Sequence, residues 1–206
     1  IACEDTRHTQ KLLSKYDIHK RLIATHAHNE KSSAKGIVGL LEEGLDIAFV
    51  SDAGTPAISD PGARLVTCVR EAGFNIVGIP GASAFSTLIS VSGYVGKTFT
   101  FEGFLPIKKG KRTTRLKVLL ERDEAFIIYE SPYRVLKTLE ELKDLDPNRV
   151  VVVARELTKA YEEIIRDNVE NVVNNFKERA AIKGEFAICI CPTAASDEVD
   201  DKEWLL

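Results

Sequence analysis

Strand-like and helix-like segments alternate along almost the whole chain, and this order constrains the fold more than any other feature. The hydrophobic pattern predicts a helix over 4–17, a strand over 21–26 and a helix over 29–44 that stops at Gly44. A strand over 46–51, a helix over 62–73, a strand over 74–80 and a small-residue helix over 82–93 follow. Such a βαβα order implies a parallel, doubly wound sheet. Ile1-Ala2-Cys3 reads as the tail of an apolar strand that begins before this chain does.

The segment SGYVGKT (92–98) interrupts the series with two glycines. Beyond it the pattern predicts strands over 98–104, 124–130, 149–156, 161–169 and 184–192, and helices over 106–122, 131–145 and 170–182. The expected layout is an N-terminal α/β domain over 1–96, a C-terminal α/β domain over 97–193 and an acidic tail over 194–206. A length of 206 residues suits two small domains or one large one. No apolar run reaches the roughly 18 residues of a membrane span, and the start turns charged at its fourth residue, unlike a secretory signal. The formal charge of −3 excludes a polycation, so any nucleic-acid contact must come from a local basic patch.

The cysteines suggest a reducing compartment. Cys3, Cys68, Cys189 and Cys191 include no Cys-x-x-Cys, so zinc and thioredoxin-like sites lack their spacing. Period-2 alternation puts Cys189 and Cys191 on one strand face, as two core thiols. His26-x-His28 ends a strand, but no further ligands stand at recognisable spacing, and no metal is expected. Gly96-Lys97-Thr98 is not a phosphate loop, because the required earlier glycine position holds Val91.

The most informative stretch is VSDAGTPAISDPG (50–62), between a buried strand and a helix. Loops at the carboxyl ends of parallel strands are where α/β folds bind ligands. Gly54 would admit a ligand to the backbone, and Asp52 would supply an acceptor. The plainer alternative is a βα loop stiffened by prolines. The next junction repeats the theme, with Pro80, Gly81 and Ser83 opening a helix. Lys108, Lys109, Lys111, Arg112, Arg115 and Lys117 crowd around a helix start, where cations oppose the dipole. Either they form a solvated face or they meet phosphate. Arg134, Arg155 and Lys159 each follow a strand in the same half.

Eight motifs occur in order: EDTR (4–7), HAHNE (26–30), VSDAGTPAISDPG (50–62), IPGASA (79–84), FEGFLP (101–106), ESPYR (130–134), ARELTK (154–159) and KGE (183–185). Together they resemble the bacterial 16S ribosomal RNA cytidine 2′-O-ribose methyltransferases of the tetrapyrrole-methylase superfamily. The resemblance covers roughly residues 1–192. It implies two α/β domains with a cleft between them that takes S-adenosyl-L-methionine, and usually a homodimer. It also implies a cytoplasmic enzyme acting on 16S rRNA in the small ribosomal subunit. Relatives open with a strand and a Gly-Thr-Pro-Ile-Gly-Asn-like loop that has no counterpart here.

Carried over residue by residue, the resemblance implies cofactor contacts from Asp52, Ala53, Gly54, Thr55, Pro56, Ser83 and Ala84. Substrate would be met by Asp5, Arg7, Asn29, Glu130, Arg134, Arg155 and Lys159, with Lys108, Lys109, Lys111 and Arg112 on phosphates. A ribose hydroxyl is a weak nucleophile, and His26 and Glu156 are the candidate bases. The competing readings are a corrin or porphyrin methyltransferase and a non-catalytic RNA-binding protein of ribosome assembly. An aromatic content of 7% suits a macrocycle cleft poorly.

Overall fold

The computed structural model describes residues 1–94 and 96–193. The acidic tail expected over 194–206 lies outside the described residues. The chain divides into two compact units, Ile1–Ser83 and Ala84–Leu206. This division falls earlier than the break expected near Gly96. The reason is local: the small-residue helix after Ser83 packs its Leu88 among Ile127, Val152 and Cys189 of the second unit.

In the first unit, β1 (Ala2–Cys3) pairs in parallel with β2 (Ile23–Ala24) on one side and β3 (Phe49–Val50) on the other. Helices α1 (Thr6–Lys15), α2 (Glu30–Glu42) and α3 (Ala63–Glu71) connect and cover them. Ala2, Ala34, Ile37, Leu65 and Val69 form the core, with Phe49 and Ile76 packed against it. The strands are far shorter than their apolar runs, because each ladder closes over only two residue pairs.

The expected strand over 74–80 does not form. Its pattern alternates, but a strand exists only where a neighbour supplies hydrogen bonds. No backbone bond to 75–80 is made among the described residues, and Val77 and Ile79 stand exposed.

The second unit holds a mixed five-stranded sheet in the order β4-β5-β8-β6-β7. Its strands are β4 (Phe99–Phe104), β5 (Ala125–Glu130), β6 (Val150–Arg155), β7 (Glu163–Asn168) and β8 (Phe186–Ile190). β4 runs parallel to β5, and β8 runs antiparallel to both β5 and β6. Hence β4, β5 and β6 share one direction.

Helices α5 (Lys109–Glu121), α6 (Val135–Leu145) and α7 (Val169–Lys177) cover one face, and α4 (Ala84–Val91) covers the other. Strand β8 sits between β5 and β6 and is buried on both faces. Phe186, Ile188 and Ile190 join the α5–α7 side, while Ala187, Cys189 and Cys191 join the α4 side. Both thiols are free and buried on one face, as period-2 alternation requires. No helix among the described residues is long and apolar enough to cross a membrane.

Candidate active site

The motif residues gather at strand ends in each unit. In the first unit the three strands are parallel, so the turns after β1, β2 and β3 leave from one end of the sheet. Those turns carry EDTR, HAHNE and the 50–62 loop.

Asp5 caps α1: its Oδ1 accepts from the backbone N–H of Arg7 at 2.8 Å. The Arg7 guanidinium also donates to Asp5 Oδ2 at 2.8 Å, and these bonds hold the Asp5 carboxyl well below its ordinary range. The Asp5 N–H in turn donates to Asp52 Oδ1 at 3.3 Å. The expected substrate residue Asp5 is therefore committed to its helix, whereas Arg7 remains mostly exposed.

The HAHNE turn is built by its own side chains. Asn29 Oδ1 accepts from His26 N–H at 2.8 Å, and Asn29 Nδ2 donates to Ala24 O at 3.0 Å. Asn29 thus shapes the turn rather than offering its amide outward. His26 is left half-buried, its Nδ1 without a hydrogen-bond partner.

Glu30 is the residue that sequence reasoning missed. It is buried, and its Oε1 accepts N–H groups from Gly62 and Arg64 at 2.9 Å and Leu65 at 3.4 Å. Gly62 stands at the N-cap of α3 and has no side chain to cap with, so Glu30 does it from α2. Its place as the first residue of α2, directly after the Asn29 cap, gives no sequence signal that a carboxylate is needed there. Gly62 itself has φ of 135°, and a Cβ there would meet the Phe49 ring at 2.5 Å.

Within the 50–62 loop, Ala57 and Ser59 adopt left-handed φ of 66° and 60°. Such conformations cost energy and cluster at functional loops. Asp52, Ala53 and Gly54 are exposed, and Thr55 and Pro56 are half-buried. Thr55 Oγ1 donates to Ala82 O at 3.0 Å. The two loops expected to line one site therefore touch, even though no strand precedes the second. Ser83 closes the first unit and Ala84 begins α4.

In the second unit the ends of β4, β5 and β6 and the start of β8 lie along one edge, bringing FEGFLP, ESPYR, ARELTK and KGE together. Glu130 was expected to meet substrate. Instead its carboxylate is turned inward: it accepts from Ser131 N–H at 3.0 Å and Thr138 Oγ1 at 2.8 Å, and pairs with Arg134 at 3.2 Å. Arg134 also donates to Leu105 O at 2.8 Å, which ties β4's exit to β5's.

Glu156 is likewise held. Its Oε1 accepts from Glu185 N–H at 2.8 Å and from Lys159 Nζ at 3.1 Å. Lys159 bridges onward to Glu185 at 2.8 Å. Glu156 and Thr158 have φ of 49° and 66°. Gly184 has φ of 100°, and a Cβ there would lie 2.7 Å from Glu156 Cγ. These bonds, first the Glu185 N–H and then Lys159, push the Glu156 carboxyl below its usual range. That opposes the role expected of it, since a general base works best with a pKa near the operating pH. Glu156 is a positioning residue that clips ARELTK to KGE. Arg155 pairs with Glu163 at 3.3 Å.

The basic segment divides in two. Arg112 is buried and pairs with Glu141, while its Nη1 donates to Ile107 O at 2.9 Å. It cannot be the phosphate contact expected of it. Arg115 pairs with Glu102 at 2.6 Å. Lys108, Lys109 and Lys111 are exposed. No cluster of metal-ligating residues exists among the described residues.

A family model described as Tetrapyrrole (Corrin/Porphyrin) Methylases matches residues 1–173. The chain belongs to the tetrapyrrole methylase family. It is 49% identical over 192 residues to a ribosomal RNA small subunit methyltransferase I of Pasteurella multocida, covering 92% of this chain and 68% of that protein. The protein of the same name from Haemophilus influenzae is 43% identical over 203 residues, covering 98% and 72%. This tetrapyrrole methylase thus belongs with the small-subunit methyltransferase I proteins and is a methyltransferase. A solved uroporphyrin-III C-methyl transferase from Thermus thermophilus, complexed with S-adenyl homocysteine, shares the fold with a TM-score of 0.59 at 15% identity, covering 92% of this chain and 83% of that one.

Proposed function

We propose that this methyltransferase moves the methyl group of S-adenosyl-L-methionine to the 2′-hydroxyl of a cytidine ribose in 16S rRNA of the small ribosomal subunit. The observation that carries this reading is the 49% identity, across 92% of the chain, to a small-subunit rRNA methyltransferase. The homocysteine form of the cofactor in a neighbour of the same fold supports the choice of methyl donor.

The first unit's rim suits such a cofactor. Exposed Asp52 offers a carboxylate to a ribose diol or an ammonium, and Ala53 and Gly54 leave backbone open beside it. Thr25 Oγ1 and His26 Nδ1 are buried polar atoms without partners on the neighbouring turn. Thr55, Pro56, Ser83 and Ala84 complete the contacts we assign to it. When bound, the cofactor supplies an electrophilic methyl on sulfur.

His26 would take the proton of the ribose hydroxyl, leaving its oxygen to receive the methyl group that the bound cofactor would supply. Alignment of the two reactants carries most of the acceleration, up to about 7–11 kcal/mol in the best cases. Arg7, Lys108, Lys109 and Lys111 meet phosphates, while Arg134, Arg155 and Lys159 shape the strand ends that receive substrate. The free cysteines suit the reducing cytoplasm. We take the active form to be a homodimer, a state that would cover apolar surface such as Val77 and Ile79.

The test is methyl transfer itself. With isotope-labelled cofactor and small subunits lacking the modification, label should appear in 2′-O-methylcytidine after digestion to nucleosides. Label on a base, or on an added tetrapyrrole in place of RNA, would overturn the reading.

A further inference from the structure

We infer that a groove on the α5–α7 side of the second unit, bounded by the start of α5, by α6 and by the end of α7, is a docking site for the phosphate backbone of unpaired RNA. The inference rests on the substrate reading above and names a surface for it.

The groove has a volume of about 590 Å³ and is lined by Ile107, Lys109, Arg112, Arg134, Lys137, Glu140, Glu141, Lys143, Asp144 and Lys177. Six of these are cations and three are carboxylates, in a chain whose formal charge is −3. The carboxylates are largely spent: Glu141 is consumed by buried Arg112, and Glu140 by Lys177 at 2.9 Å. Lys109, Lys137 and Lys143 enter no ion pair among the described residues, and only Asp144 opposes them.

The buried pair has a positional role. Arg112 also holds the carbonyl of Ile107, and Thr113 Oγ1 donates to Glu141 at 3.1 Å. The start of α5 is thereby locked against α6, which holds Lys109 and Lys137 in the lining of one groove. At about 1.5 Å of rise per residue, Arg134 to Lys143 spans roughly 14 Å along α6. That length follows a run of successive phosphates on one strand.

Apolar surface stands at the same end. Ile107 on the groove's lip is 80% exposed, and Tyr133, next to Arg134, is 88% exposed. A solvent-facing tyrosine ring next to a cationic groove suits stacked, unpaired bases better than duplex. No packing role explains either side chain, since neither belongs to a core cluster.

The test measures binding of a fluorescent single-stranded 16S rRNA fragment to the intact enzyme across a salt series. Lys137→Ala with Lys143→Ala should weaken binding several-fold and flatten the log–log salt slope by about 1.4, at roughly 0.7 per lost phosphate contact. Tyr133→Ala should weaken binding and leave the slope unchanged. Tyr133 and Lys137 are exposed and Lys143 is half-buried, and a melting curve of each variant checks the fold. Variants that bind with wild-type affinity and slope would overturn the groove. Methyl transfer by the wild type, measured alongside, separates the two claims: an active wild type with unaffected variants rejects the groove alone. RNA binding lost in the variants of an enzyme that labels no ribose keeps the groove and rejects the substrate.

Discussion

Glu30 shows how one side chain can organise a loop it does not belong to. Its Oε1 serves the N–H groups of Gly62, Arg64 and Leu65, where α3 begins with no cap of its own. Glu30→Ala strands those donors, and an unmade buried hydrogen bond costs about 1–3 kcal/mol. Urea denaturation should show at least that loss, and calorimetry should show weaker binding of S-adenosyl-L-methionine as the 50–62 loop loosens. Gly62→Ala should destabilise as well, by about 1–3 kcal/mol for the left-handed φ alone, with the Phe49 ring displaced in addition. The same denaturation curves would read it. A Gly62→Ala protein of wild-type stability would show that the loop has another conformation available.

At the level of elements, two ion pairs differ in kind. Arg112–Glu141 joins α5 to α6 in the interior, both side chains less than a tenth exposed. Arg112→Met alone leaves a buried carboxylate and should cost about 3–5 kcal/mol, whereas Arg112→Met with Glu141→Leu should recover most of it. Glu163 joins β7 to the turn after α7 at a half-exposed site, held by Arg179 Nη1 and Nη2 at 2.8 Å.

Arg179 first, and Arg155 less, hold the Glu163 carboxyl below its ordinary value of 4.5. Folded Glu163 therefore binds fewer protons than unfolded Glu163 at mildly acidic pH. Its stabilisation is complete above about 4.5 and is lost as pH falls through the lower folded value. Melting temperatures between pH 7 and pH 3 should drop below that point, and the drop should be shallower in Glu163→Gln.

The elements also show what was legible beforehand. Long apolar runs such as 150–154 and 186–190 announce themselves, because a strand buried on both faces needs an apolar residue at every position. The 74–80 segment misleads for the complementary reason: alternation records a face, while a strand also needs a partner. Motif positions were legible, and so was their convergence at strand ends. Their roles were not, since Glu130, Glu156 and Arg112 look outward on paper and are consumed by Arg134, Lys159 and Glu141 in space. Sequence spacing does not reveal pairings such as Arg112 with Glu141.

Across the whole molecule the motif residues divide between two classes of work. Asn29, Glu30, Glu130 and Glu156 build the loops, and the proton transfer is the role we propose for His26. The single-turnover rate of methyl transfer to small subunits, compared for wild type, His26→Gln and Glu156→Gln, tests this directly. His26→Gln should lose about 10²–10⁴-fold in rate. Glu156→Gln should lose much less and share its modest defect with Gly184→Ala, which pushes on the same side chain. A near-wild-type rate in His26→Gln beside a collapse of the rate in Glu156→Gln would contradict this assignment.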